Sequence, residues 1–85
     1  MTGTSAAEAL GGGWTLRALP ALELLQARRE AAGLAKDRRE RALCNNACLL
    51  ARVLGDGESG ALVFSDGKAV LAGLTAEEIG ALAAR

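Results

Sequence analysis

The chain has 85 residues, of which 51% are hydrophobic, and its ten basic and ten acidic side chains leave no net charge. This balance argues against a protein held on nucleic acid by its overall field, and the absence of histidine removes the commonest general base. There is no run of about 18 apolar residues, no secretory signal and no disulfide framework, so we expect a cytoplasmic protein without a membrane span.

Many of the apolar side chains are alanines, which add little to a hydrophobic core. Alanine contributes 19 of them and leucine 15, with a single tryptophan and a single phenylalanine. Because each fully buried large side chain contributes roughly 2 kcal/mol, such a core is modest for an isolated monomer. The composition therefore favours a partner or self-association.

Charge is unevenly distributed along the chain. Residues 20–54 carry seven basic and four acidic side chains, whereas residues 55–85 carry two basic and five acidic ones. The resulting charges of +3 and −3 could attract each other within one chain or between two chains.

The amino-terminal part predicts an arm followed by a short extended segment. Residues 1–13 contain one capping-box match, Ser5 with Glu8, and end in three glycines, which predicts a flexible N-terminal arm. Residues 14–17 alternate in polarity, as a short extended segment does. Pro20 is suited to open a helix, because its missing N–H is not needed in the first turn.

Two helices are predicted next, over about residues 20–34 and 37–54, separated by a charged bend. The second has a wide apolar face. Leu43, Ala47 and Leu50 recur at helical spacing with Leu54, and we expect these leucines to belong to the core.

The last third predicts short elements separated by glycines. Residues 55–60 should form a loop, residues 62–64 a brief extended piece, and residues 65–67 a turn in which Gly67 can take positive φ. A short helix should end at Gly73, and Thr75 with Glu78 forms a capping box that introduces the final helix. Residues 14–85 are thus predicted to be one small, mostly α domain of three or four helices.

Cys44 and Cys48 lie four residues apart, on one face of a helix. Structural zinc needs four ligands, which this chain can supply only by sharing a site between copies, so we expect no metal. Buried, reduced cysteines acting as small hydrophobes fit better. Asn45 and Asn46, poor helix formers, should form either a solvated edge or a hydrogen-bonding contact with a partner.

Two further patterns allow either a structural or a functional interpretation. The glycines at positions 55, 57 and 60 match a dinucleotide-binding string, but a helix precedes them where a strand is required, which favours a plain loop. The pairs Arg28-Arg29 and Arg38-Arg39 could contact phosphate, although interspersed acids favour a solvated, salt-bridged face. No nucleophile stands beside a base, so we expect no enzymatic activity and no cofactor.

Three stretches carry a family resemblance: LELLQARREAAGLA from Leu22, RERALCNNACLLARVL from Arg39, and FSDGKAVLAGLTAEEIGALAAR from Phe64. In this order they resemble small tail assembly chaperones of tailed bacteriophages and prophages. The resemblance implies a protein of the host cell cytoplasm that binds the tape-measure protein, keeps it soluble while the tail tube polymerises, and leaves before the virion is complete. Some members of that family also exist in a longer, frameshifted form. The resemblance supplies no catalytic residue.

Partner contact is expected from apolar residues left outside the core, for which we predict Leu24, Leu49 and Val53. Two alternatives remain open. One is a small DNA-associated regulatory protein that uses the face with Arg28, Arg29, Arg38 and Arg39. The other is a structural homo-oligomer joined through the basic and acidic segments.

Overall fold

The structure, a computed structural model, describes residues 13–84 of the chain. In chain order it contains strand β1 (Trp14–Leu16), helices α1 (Ala21–Leu34) and α2 (Arg38–Val53), strand β2 (Leu54–Asp56), and helices α3 (Gly67–Gly73) and α4 (Ala76–Ala83). For this part of the chain, the prediction of a mostly α fold of three or four helices with a short extended segment is confirmed. The arm predicted for residues 1–13 lies, apart from Gly13, outside the described residues.

Helix α1 begins directly after Pro20, as predicted, and α2 begins within one residue of its predicted start. Pro20 has extended backbone (φ −60°, ψ 150°) directly before α1. The carboxylate of Asp37 accepts hydrogen bonds from the N–H groups of Arg39 (2.9 Å) and Glu40 (3.1 Å), which would otherwise lack intrahelical partners at the start of α2. The short connection between the helices, residues 35–37, returns the chain alongside α1.

Helix α2 is the central element, because α1, α3 and α4 all pack against it. Its predicted apolar face is confirmed: the residues it buries are Cys44, Ala47, Cys48, Leu50 and Ala51. Helices α1 and α4 are therefore positioned by their contacts with α2, which forms the base of any opening between them.

The two strands form an antiparallel pair in which Trp14 lies opposite Asp56 and Leu16 opposite Leu54. The extended segment predicted near Trp14 is confirmed. The prediction of a loop from residue 55 was wrong at its start, because Gly55 and Asp56 belong to β2. The extended piece predicted at residues 62–64 amounts to one isolated bridge between Gly55 and Leu62.

The last two helices have side-chain caps. Asp66 accepts from Ala69 N–H (2.9 Å) at the start of α3. The predicted capping box is confirmed: Thr75 Oγ1 accepts from Glu78 N–H (3.1 Å), and Glu78 Oε1 accepts from Thr75 N–H (2.8 Å). Gly67, expected to take positive φ in a turn, is instead the first residue of α3; within the described chain positive φ occurs at Gly13 and Gly60.

The buried side chains form two clusters that share α2. The main core combines the carboxyl-terminal half of α2 with β2, α3 and α4, and Trp14 packs on it, edge to face with Phe64 at a centroid distance of 6.0 Å. The minor core joins α1 to α2 through Ala27, Ala31, Cys44 and Cys48. Leu50 and Leu54 are buried as predicted, whereas Leu43 is partly buried against the main core.

No helix within residues 13–84 has both the length and the apolar character that a bilayer crossing requires.

Candidate functional site

An open groove with a volume of about 390 Å³ lies between α1 and α4, above the carboxyl-terminal half of α2. Leu49, Leu50 and Val53 of α2 line it together with residues 16–19, which connect β1 to α1. Leu24 lines it from α1, and Leu82 and Ala83 from α4. The walls are therefore almost entirely aliphatic, and the described part of the chain leaves the space between them unfilled.

All three apolar residues predicted to contact a partner line this groove. Leu24, Leu49 and Val53 are each partly buried, and each presents part of its side chain to the opening. They come from two different helices, so their proximity depends on the α1–α2 packing. The sequence pattern selected the residues but could not show that they face one another.

Arg17 fixes the segment that forms one wall of the groove. Its backbone N–H donates to the carbonyl of Val53 (3.0 Å), and its Nε donates to the carbonyl of Arg52 (2.8 Å). Its guanidinium forms an ion pair with Glu23 on α1 (2.5 Å), and this hydrogen bond lowers the pKa of the Glu23 carboxyl. Arg17 thus ties the wall to both helices, and its positive charge is paired with the Glu23 carboxylate.

Arg52 lies near the carboxyl-terminal end of α2, and its carbonyl accepts the hydrogen bond from Arg17 Nε. Its Nη1 donates to Gln26 Oε1 on α1 (3.3 Å), while its Nε is buried without a hydrogen-bond partner among residues 13–84. A groove with aliphatic walls suits aliphatic side chains of a partner.

The arginine pairs lie elsewhere. Arg28, Arg29, Arg38 and Arg39 are exposed, on the half of the α1–α2 hairpin nearer to its turn. The four arginines are solvated, as predicted. The predicted salt bridges of this face are not formed, because the ion pair found within residues 13–84 is Arg17–Glu23. These four residues do not border the groove.

The two cysteines are free and buried in the minor core, as predicted. Burial raises the pKa of Cys44, and burial together with the nearby Glu30 carboxylate raises the pKa of Cys48 from 9.0 to about 12. A thiol that stays protonated is a poor nucleophile and a poor metal ligand. Within the described residues no group of three or more His, Cys, Asp or Glu side chains could hold a metal ion.

Asn45 differs from the expected solvated edge. It is partly buried, and within the part of the chain that the structure describes its Oδ1 atom is buried without a hydrogen-bond partner. Asn46 is also partly buried. Neither asparagine is therefore the fully solvated helix edge that the sequence predicted.

Several residues that matter here were not selected by sequence reasoning. Leu16, Leu19 and Leu82 line the groove, and they come from segments that are far apart in the chain. Leu22 and Leu25 on α1 are strongly exposed, at 62% and 46%. The exposure of these two leucines could have been predicted, because Ala27 and Ala31, spaced by four, form the buried stripe on the opposite side of α1.

Comparison of the chain with protein-family models, with curated proteins and with solved structures finds no match.

Proposed function

We propose that this protein is a non-enzymatic chaperone that uses the α1–α4 groove to cover an apolar helical segment of another protein. The client we propose is the tape-measure protein of a tailed bacteriophage, bound during tail assembly. The observation that carries the binding role is the groove itself, with aliphatic walls drawn from four segments and none of residues 13–84 inside it. The identity of the client rests on the family resemblance of the sequence.

The groove supports helix capture through its size and composition. An amphipathic helix presents side chains at positions i, i+3, i+4 and i+7, and a hydrophobic groove accepts that ridge in known helix-in-groove complexes. A volume of about 390 Å³ is sufficient for a few aliphatic side chains but not for a whole helix. The client helix would therefore lie across the opening and insert only its apolar ridge.

The test is co-expression of the chain with a tape-measure fragment from the same genome. We expect the fragment to become soluble and to co-purify at both low and high salt, because burial of apolar surface is little weakened by salt. The variants Leu16→Glu and Leu24→Glu place a charge in the groove and should leave the fragment insoluble. Both residues lie outside the buried clusters, so the fold should survive, which circular dichroism would check.

Leu62→Glu provides the matched control. Leu62 is 53% exposed and does not line the groove, so this variant should solubilise the fragment like the unmodified chain. Equal activity of the groove variants and the control would refute the groove as the binding site. Failure of the unmodified chain to solubilise any tape-measure fragment would refute the client.

A second candidate is a small DNA-associated regulatory protein. It is favoured by the exposed arginines at positions 28, 29, 38 and 39, which lie near one end of the molecule and form no ion pair with the described acids. Phosphate contacts release counterions, so such binding should fall steeply with added salt. Fluorescence anisotropy with a labelled duplex, measured over a salt series, separates this function from salt-resistant client binding.

A further inference from the structure

Helix α1 buries small apolar side chains and exposes large ones, which is the opposite of an ordinary surface helix. Its buried stripe consists of Ala27 and Ala31, both fully buried against α2, while Leu22 and Leu25 are exposed. Since Leu22 and Leu25 are three residues apart, they lie side by side on the outer face of α1. We call this pair the leucine ridge. Apolar side chains that the fold leaves in water while burying alanines nearby indicate a surface covered by another molecule.

The charges beside the leucine ridge restrict what can cover it. Arg28 and Arg29 follow Leu25 by three and four residues, so they extend the ridge on the same side of α1. Both are exposed, and within residues 13–84 neither forms an ion pair. A matching surface must therefore be flat enough to accept two leucines and must carry a carboxylate next to them.

The outer face of α4 has these properties. Helix α4 buries Ile79 and Leu82, and its opposite side presents Glu77, Gly80 and Ala81, all of them exposed. Among residues 13–84, a Cβ added at Gly80 would meet nothing within 4 Å, so the described chain leaves the backbone there open to close approach. The carboxylate of Glu77 stands on the same face, and α4 contains no basic residue.

Charge distinguishes this face from two other places where a second copy of the chain could cover the ridge. Ridge against ridge would bring Arg28 and Arg29 of the two molecules together. The groove is lined by Arg17, whose partner Glu23 is already engaged in an ion pair. Neither arrangement offers a free carboxylate to Arg28 and Arg29, whereas the α4 face places Glu77 beside them.

We propose that the leucine ridge of one molecule docks on the outer face of α4 of a second copy, with Arg28 and Arg29 beside Glu77. The two surfaces are different, so the contact is head to tail and can repeat into a ring or an open chain. Both surfaces are available on one molecule, because α1 and α4 pack on α2 with the groove between them. This association is independent of the proposed client binding, since it leaves the groove open.

Complementary single-surface variants test the head-to-tail contact. Leu25→Glu removes the ridge and keeps the α4 face; Glu77→Arg removes the α4 carboxylate and keeps the ridge. Sedimentation velocity should show the unmodified chain growing beyond a dimer as its concentration is raised, and shrinking in high salt. Each variant alone should remain a monomer. An equimolar mixture of the two should reach twice the monomer mass and stop, because only one ridge and one α4 face are intact in the pair.

The remaining outcomes overturn the proposal. Self-association of Glu77→Arg alone, undiminished, would show a ridge-to-ridge contact instead. A chain that stays monomeric up to near-millimolar concentration, or a mixture that stays monomeric, would show that the ridge does not bind a second copy. Leu62→Glu, which changes an exposed leucine outside both surfaces, should assemble like the unmodified chain. Circular dichroism of each variant separates loss of assembly from loss of fold.

Discussion

Gly67 lies where the start of α3 meets α2, and the space that a side chain would need there is already occupied. A Cβ at this position would clash with Cys48 Sγ and would lie 3.1 Å from Cys48 Cα and 3.2 Å from Glu30 Oε2. The same close approach lets the N–H of Gly67 donate to Glu30 Oε2 over 2.8 Å. One glycine therefore allows α1, α2 and α3 to meet at a single point.

We expect Gly67→Ala to lower the free energy of unfolding by about 1–3 kcal/mol, because an added methyl group in a filled site forces neighbouring atoms apart. Urea unfolding followed by circular dichroism measures this change. Gly33→Ala is the matched control: Gly33 is helical, and no atom of residues 13–84 lies within 4 Å of its added Cβ, so alanine should stabilise α1 there by about 0.5–1 kcal/mol. If both substitutions stabilise the protein, the close approach at Gly67 is not what requires glycine.

Helix α1 shows how a helix can be predicted while its orientation is not. Its bounds agree closely with the predicted residues 20–34, because Pro20 and the run of good helix formers are local signals. Which face turns inward depends on how closely α2 approaches. Ala27 and Ala31 allow that approach, and the leucines then remain outside.

Substitutions within α1 can test whether its alanines, and not its leucines, face α2. Ala27→Leu should lower the free energy of unfolding by about 1–3 kcal/mol, because Ala27 is fully buried against α2 and has no room for a larger side chain. Leu25→Ala removes a larger group but should change stability by less than about 0.5 kcal/mol, because Leu25 is 46% exposed. Thermal unfolding at low protein concentration, where self-association is absent, compares the two. A larger loss for Leu25→Ala would contradict the orientation of α1.

The other elements follow the same division between local and non-local information. Thr75 with Glu78, and the helix stop at Gly73, are signals within a few residues, and both were predictable. Strand β2 was not predictable, because Gly55 and Asp56 are poor strand residues that become extended only by pairing with β1. The groove was predictable only in part. Leu24, Leu49 and Val53 do line it, but Val53 also packs against the main core and Leu49 against the minor core, which differs from their predicted place outside the core. The other walls come from segments that only the fold brings together.

At the scale of the whole molecule, the main and minor cores share α2, and Leu71 of the short helix α3 also packs against both. Loss of α2 therefore removes one side of both cores at once. Each core also carries its own natural probe: Trp14 packs on the main core, and Cys44 and Cys48 lie in the minor core. The chain has no other tryptophan or cysteine, so the two signals are unambiguous.

We expect both cores to unfold in a single transition, because neither has a complete set of contacts without α2. Tryptophan fluorescence and the reaction of the thiols with Ellman's reagent, measured over one urea series, should give the same midpoint. In the folded protein the thiols should react very slowly, since burial keeps both thiols protonated and raises the pKa of Cys48 to about 12. Thiol reaction at urea concentrations that leave the fluorescence unchanged would show instead that α1 detaches separately.

The pairing of β1 with β2 also has a consequence for kinetics. It joins Thr15 to Gly55, which are 40 residues apart in the chain, whereas α1 and α2 are joined by a short turn. Closing a longer loop costs more entropy, so we expect the α1–α2 hairpin to form first and β1 to dock later. Opening of the native state should follow the reverse order. Because residues 16–19 form one wall of the groove, release of β1 would widen its entrance while α2 stays folded, and the rate of this opening would limit how fast the groove admits any ligand larger than its resting volume.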